Sequence, residues 1–132
     1  MVTALSLILC AATYPDLPVQ RVVSVHDGDT VTVDLAGCPA VFCTSIGVRI
    51  VGIDTPEITD KRPAILALAR QARAFTLAWT QAHAGTLTLR TVSRDKYFRV
   101  LAEIWAGDES LGMALLRAKL ARPYTGQGPK PW

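Results

Sequence analysis

Clusters of metal-binding cysteine and histidine are absent from this sequence. Its two histidines, His26 and His83, lie far apart, and its three cysteines, Cys10, Cys38 and Cys43, form no CxxC pair. That excludes a zinc site of ordinary spacing. Internal repeats and low-complexity tracts are also missing, so neither a solenoid nor a disordered tail is expected. No apolar run is long enough to span a bilayer. Charge of one sign is only mildly in excess: ten Arg and four Lys against eight Asp and three Glu give a net +3. Such a balance does not by itself indicate a nucleic-acid partner. The bias of Arg over Lys says more, because the guanidinium fork pairs bidentately with phosphate.

What is present is enough for one domain. The chain has 132 residues, half of them apolar, and can bury a real core. Residues 2 to 12 are almost all small or apolar and end in Cys10-Ala11-Ala12. They read either as a secretory signal peptide, against which the lack of a preceding Lys or Arg speaks, or as an arm that packs on the body. The first reading implies a secreted or periplasmic protein, the second a cytoplasmic one. Residues 1–19, with the prolines of Thr13 to Gln20, are expected to be this segment and a linker, and residues 20–132 the domain. Cys38 and Cys43 either close a small disulfide loop in an oxidising compartment or remain two free thiols.

Strand patterns run over Arg21 to Val25, Thr30 to Leu35 and Ile46 to Ile53, with Gly28 permitting a tight turn between the first two and a loop at Ala36 to Ser45. From Pro63 the period changes, and a helix of about five turns is expected to end at Gly85. Strands follow at Thr86 to Val92 and Arg99 to Ala106. A second helix is expected over Ser110 to Ala121, with Ser110 as its N-cap. The segment Thr125 to Trp132 reads as irregular. This order, α+β, is compatible with a five-stranded OB-fold barrel carrying two to three helices, although other α+β meanders share it.

The polar residues gather at strand ends. Asp27 and Asp29 flank Gly28; Asp54, Thr55 and Glu57 end the third strand; Arg99 opens the fifth. Period-two alternation places Arg49 on one face with Val51 and Ile53, where a cation needs an anionic partner. Two aspartates and a backbone carbonyl suit calcium or magnesium, a glutamate can take a proton from water, and two arginines can neutralise a phosphoryl group in its transition state. Together they form a kit for metal-assisted phosphodiester hydrolysis. Each part alone has a plainer reading: DGD as a hairpin turn, DTPE as a strand cap, Arg99 beside Asp95 as a solvated turn.

The combination of "VVSVHDGDTVTVDL", "VRIVGIDTPE" and "SRDKYFRVLAEIWAGDESLGMALLRAKLA", in that order, resembles the staphylococcal (micrococcal) nuclease or thermonuclease family over about Val22 to Ala121. The resemblance implies an OB-fold barrel and a calcium-dependent endonuclease that cuts DNA and RNA with little sequence specificity to leave 3'-phosphate ends. It implies that Asp29 and Asp54 supply carboxylates to calcium and Thr55 its carbonyl, with Asp27 an acid close by. Glu57 is then the general base, Arg49 and Arg99 bind the scissile phosphate, and Lys96, Tyr97 and Tyr124 contact the nucleotide. A monomer acting on single strands, with no membrane partner, is the matching expectation. Phe98 stands where the best-known member has glycine, and the region of Thr59 to Arg73 holds fewer lysines than its counterpart. The rival readings are a catalytically silent OB-fold that binds single strands and a protein-interaction module.

Overall fold

The computed structural model describes residues 14–132; the apolar run with Cys10, and the reading of it as a signal peptide, lie outside them. Strand β1 (Leu17–Asp27), β2 (Thr30–Leu35) and β3 (Ile46–Ile50) form an antiparallel meander. The ring continues from β1 to β5 (Leu87–Arg94) and β6 (Val100–Ala106), and β6 pairs in parallel with β3. That last pairing closes a five-stranded barrel of OB type. Three register shifts along the β1–β2 ladder bend β1 enough for closure, since each irregularity adds local curl and twist.

Valine and isoleucine fill the interior. Val31, Val33, Val48, Ile50, Leu89, Ala102 and Ile104 are essentially inaccessible. Leu111 and Leu115, from helix α3 (Leu111–Arg117), plug the same core. Ser110 caps this helix by accepting from the Met113 amide at 3.1 Å, as the serine suggested. Arg117 rather than Ala121 is its last residue.

Helix α2 (Pro63–Ala82) starts at its proline and stops short of the expected Gly85. Its buried face is Ala69, Ala72, Thr76, Trp79 and Thr80, one stripe of a 3.6-residue period. Small residues on that stripe bring the helix onto the β1–β2 turn. Thr76 Oγ1 donates to the Gly28 carbonyl at 2.6 Å, and Arg73 Nε to the Val25 carbonyl at 3.0 Å. Gly28 is therefore needed for closeness, not for a left-handed turn, because its φ is not positive.

Several boundaries differ from expectation. β1 begins at Leu17, inside the stretch read as linker, and Tyr14 bridges to Val92. The loop after β2 contains a one-turn helix, α1 (Ala40–Cys43), and Cys38 is bonded to Cys43 with Cα atoms 6.1 Å apart. The expected third strand is broken: β3 stops at Ile50, the chain turns at Val51 and Gly52, and β4 (Ile53–Asp54) pairs instead with β8 (Arg122–Pro123). Gly52 adopts φ +82°, a left-handed value that shifts the strand's phase. As a result Ile53 returns to the core beside Val48 and Ile50, while Arg49 faces away from it. The expected sharing of a face by Arg49 and Ile53 is thereby corrected. The remaining pair, β7 (Glu109–Ser110), extends β6 into α3.

A Cβ placed on Gly28 would lie 2.8 Å from the Cβ of Ala72 and 3.1 Å from that residue's backbone carbon. Gly28→Ala should therefore destabilise the fold by about 1–3 kcal/mol, the scale of overpacking. A urea denaturation curve checks this, with a shift of the midpoint at unchanged slope.

Candidate active site

The β1–β2 turn, the β3–β4 bend, the β5–β6 turn and the segment after β8 converge on an open cleft of about 570 Å³. Asp27, Arg49, Glu57, Lys96, Tyr97 and Arg99 line it, as does Tyr124. Asp29, Asp54 and Thr55 are buried and connect to this lining through Arg49, which the two acids share, and the Thr55 amide, which bonds Asp29. The ten residues singled out in the sequence, scattered over almost a hundred positions, are thus brought together.

The centre of the site is one guanidinium shared by two acids. Arg49 Nη1 lies 2.7 Å from Asp29 Oδ1, and its Nη2 lies 2.6 Å from Asp54 Oδ1. Thr30 pairs with Arg49 across β2 and β3, so the sheet register sets the arginine beside the turn that carries Asp29. Asp29 is held further by the Thr55 amide, which donates to its Oδ2 at 2.8 Å, and by the Thr30 hydroxyl at 3.0 Å. Burial pushes the Asp29 carboxyl above the usual carboxylate range, and Arg49 works against that rise. Asp27 sits at the edge, accepting from the Ile58 amide at 2.9 Å.

Two further cations have their own acids. Arg99 Nε lies 2.9 Å from Asp95 Oδ2, and Asp95 Oδ1 also accepts from the amides of Tyr97 and Arg99. This bracket holds the turn in which Phe98 adopts φ 62°. Phe98 is 78% exposed and outside the cleft lining, whereas Arg99 remains in it. Lys130 pairs with Glu57, and that hydrogen bond is the main reason the Glu57 carboxyl lies below its usual range. Burial of the pair is partial and opposes the shift.

Sequence reasoning missed Lys130 and Trp132. They stand in a stretch without motif, and the sole signal was a tryptophan, a large apolar side chain with a polar N–H that usually finds a packed position. Trp132 Nε1 donates to the Asp54 carbonyl at 2.9 Å.

The donor set fits a hard divalent cation. Asp29 and Asp54 each aim one oxygen at a single positive centre, the Arg49 guanidinium. Among the described residues no cluster of three or more His, Cys, Asp or Glu is present, so backbone carbonyls and water would supply the other ligands, as oxygen-binding cations accept. The Thr55 hydroxyl oxygen, buried beside them, has no hydrogen-bond partner.

The family model described as staphylococcal nuclease homologue matches residues 47–131. The chain belongs to this family. It is 33% identical over 104 residues to a thermonuclease of Staphylococcus intermedius, covering 79% of this chain and 56% of that protein. To a thermonuclease of Staphylococcus hyicus it is 30% identical over 102 residues, covering 77% and 57%. The chain therefore spans a little over half the length of either relative.

Removing the shared guanidinium leaves two buried acids facing each other. Arg49→Met should cost about 3–5 kcal/mol, the scale of an uncompensated buried charge. Adding Asp29→Asn to that variant should recover part of the loss. Thermal unfolding of the single and double variants measures the coupling.

Proposed function

We propose that this chain is a calcium-dependent endonuclease that hydrolyses phosphodiester bonds of DNA and RNA, with single strands preferred. The observation that carries the proposal is the convergence in one cleft of two arginines, a glutamate and a pair of cation-competent aspartates. Membership of the nuclease family supports the same reaction.

Asp29 and Asp54, with the Thr55 carbonyl, would hold calcium, which supplies charge that polarises a phosphate oxygen and lowers the pKa of water. Glu57, ionised and partly open to solvent, accepts the proton of the attacking water. Arg49 and Arg99 donate to the phosphoryl oxygens as negative charge builds on them, which favours the transition state over the ground state. Asp27 tunes the field of the carboxylate pair from the rim. Lys96, Tyr97 and Tyr124 lie on the walls where the neighbouring nucleotide and phosphate run. A pathway built from phosphate contacts does not read bases, so cutting has little sequence specificity. The 3'-phosphate product follows from the family reading.

The Cys38–Cys43 bond lies at the far end of the β2–β3 hairpin from the cleft. A disulfide persists in oxidising compartments, which supports export of the protein. Among the described residues no helix is long and apolar enough to cross a membrane.

Glu57→Gln should lose most turnover on single-stranded DNA while still binding it, and Arg99→Ala should lower kcat by about a hundredfold or more. Steady-state cleavage with a parallel binding titration tests both, and near-wild-type turnover of either variant would remove that residue from the reaction. Calcium at about a hundredfold excess over its Kd should stabilise the fold by roughly 2.7 kcal/mol. Calorimetric unfolding should show this gain vanish with chelator and in Asp29→Asn.

A further inference from the structure

The segment Tyr124–Trp132 carries no recognisable motif, yet it is tied to the site at both ends. The Tyr124 amide donates to the Gly52 carbonyl at 3.0 Å, at the bend that ends β3. Eight residues on, Trp132 donates to the Asp54 carbonyl, and the Arg122 guanidinium carbon lies 3.8 Å from the centre of its ring. Arg122 also donates to the Pro131 carbonyl and faces Asp54 in the β4–β8 pair. A cation over an indole face is among the stronger surface contacts available to a strap of this kind. Tyr124 Oη closes the loop internally by donating to the Gly128 carbonyl at 3.0 Å.

Between these pins the strap forms one wall of the cleft and carries Lys130 to Glu57. Among the described residues, the Lys130 ammonium is the one hydrogen-bond donor that the Glu57 carboxylate has. Both side chains are about half exposed, at 51% and 44%. An ion pair so placed adds little to stability, because solvent screens it. Its effect lies in orientation. A free glutamate side chain samples many rotamers, whereas a base must sit within hydrogen-bond reach of the water it deprotonates.

We propose that Lys130 is a positioning residue for Glu57, presented by a strap that Trp132 and Arg122 fasten to the metal-binding strand end. The contact stands on geometry alone; its effect on turnover rests on the nuclease reading. Trp132 is fastened to the backbone of Asp54, so the same strand end that carries a cation-competent acid also sets the reach of the lysine. The strap thereby couples the position of the base to the position of the acid pair.

The test uses Lys130→Met, Lys130→Arg and Trp132→Ala, each read in two ways. Side-chain NMR relaxation of Glu57 reports its order without any need for turnover, and cleavage of single-stranded DNA gives kcat and KM. Lys130→Met should lower the order parameter of Glu57 and reduce kcat by about tenfold or more, towards the hundredfold scale of a misplaced catalytic group, with KM within about twofold. Lys130→Arg should retain both, and Trp132→Ala should behave as Lys130→Met. Unchanged Glu57 order in Lys130→Met overturns the proposal whether or not the protein cleaves. A raised KM with unchanged kcat also overturns it, making Lys130 a phosphate contact instead. If Glu57 loosens as expected in a protein that does not cleave, the positioning stands and the nuclease reading fails.

Discussion

Arg49 is forked between two buried carboxylates, and much of the molecule is arranged to make that possible. A guanidinium holds its two terminal nitrogens a fixed distance apart, so it can meet Asp29 and Asp54 at once only if both acids reach it from the same side. Asp29 comes from the β1–β2 turn, which α2 can approach closely because position 28 has no side chain. Asp54 comes from the short strand after the Gly52 bend. The barrel register supplies the arginine itself. Had β3 continued straight through Ile53, the arginine and the second acid would not have been brought to one point.

The charges of the cleft are balanced in pairs. Arg49 has Asp29 and Asp54, Arg99 has Asp95, and Lys130 has Glu57. Such pairing keeps a cluster of cations and acids compatible with a folded barrel, since a buried charge left without a partner costs far more than a paired one. It also leaves the side chains accessible: the members of the outer pairs are part exposed and line the cleft.

Much of this could be read in the residues. The order of strands, the two longer helices and the gathering of Asp27, Asp29, Asp54, Glu57 and Arg99 at strand ends follow from local pattern and turn chemistry, whereas the choice of an OB barrel over other α+β meanders rests on the family resemblance of the motifs. The face occupied by Arg49 did not, because alternation assumes an unbroken strand, and a single left-handed glycine at position 52 reverses the phase of everything after it. Gly28 was legible as a turn residue but not for its actual reason, which depends on a helix more than forty residues away. Lys130 and Trp132 were illegible for the same cause: their partners, Glu57 and Asp54, are distant in sequence, and no periodicity marks an irregular strap.

Whether phosphodiesters are cut in the cleft is tested directly by one digestion. Purified protein is incubated with single-stranded DNA and with RNA in calcium, in magnesium and in chelator, and the products are resolved by length. Cleavage in the cleft should give fragments from both nucleic acids in calcium and none in chelator. Intact strands under every condition, with the nucleic acid still bound by the protein, would contradict it and leave the cleft as a binding surface only.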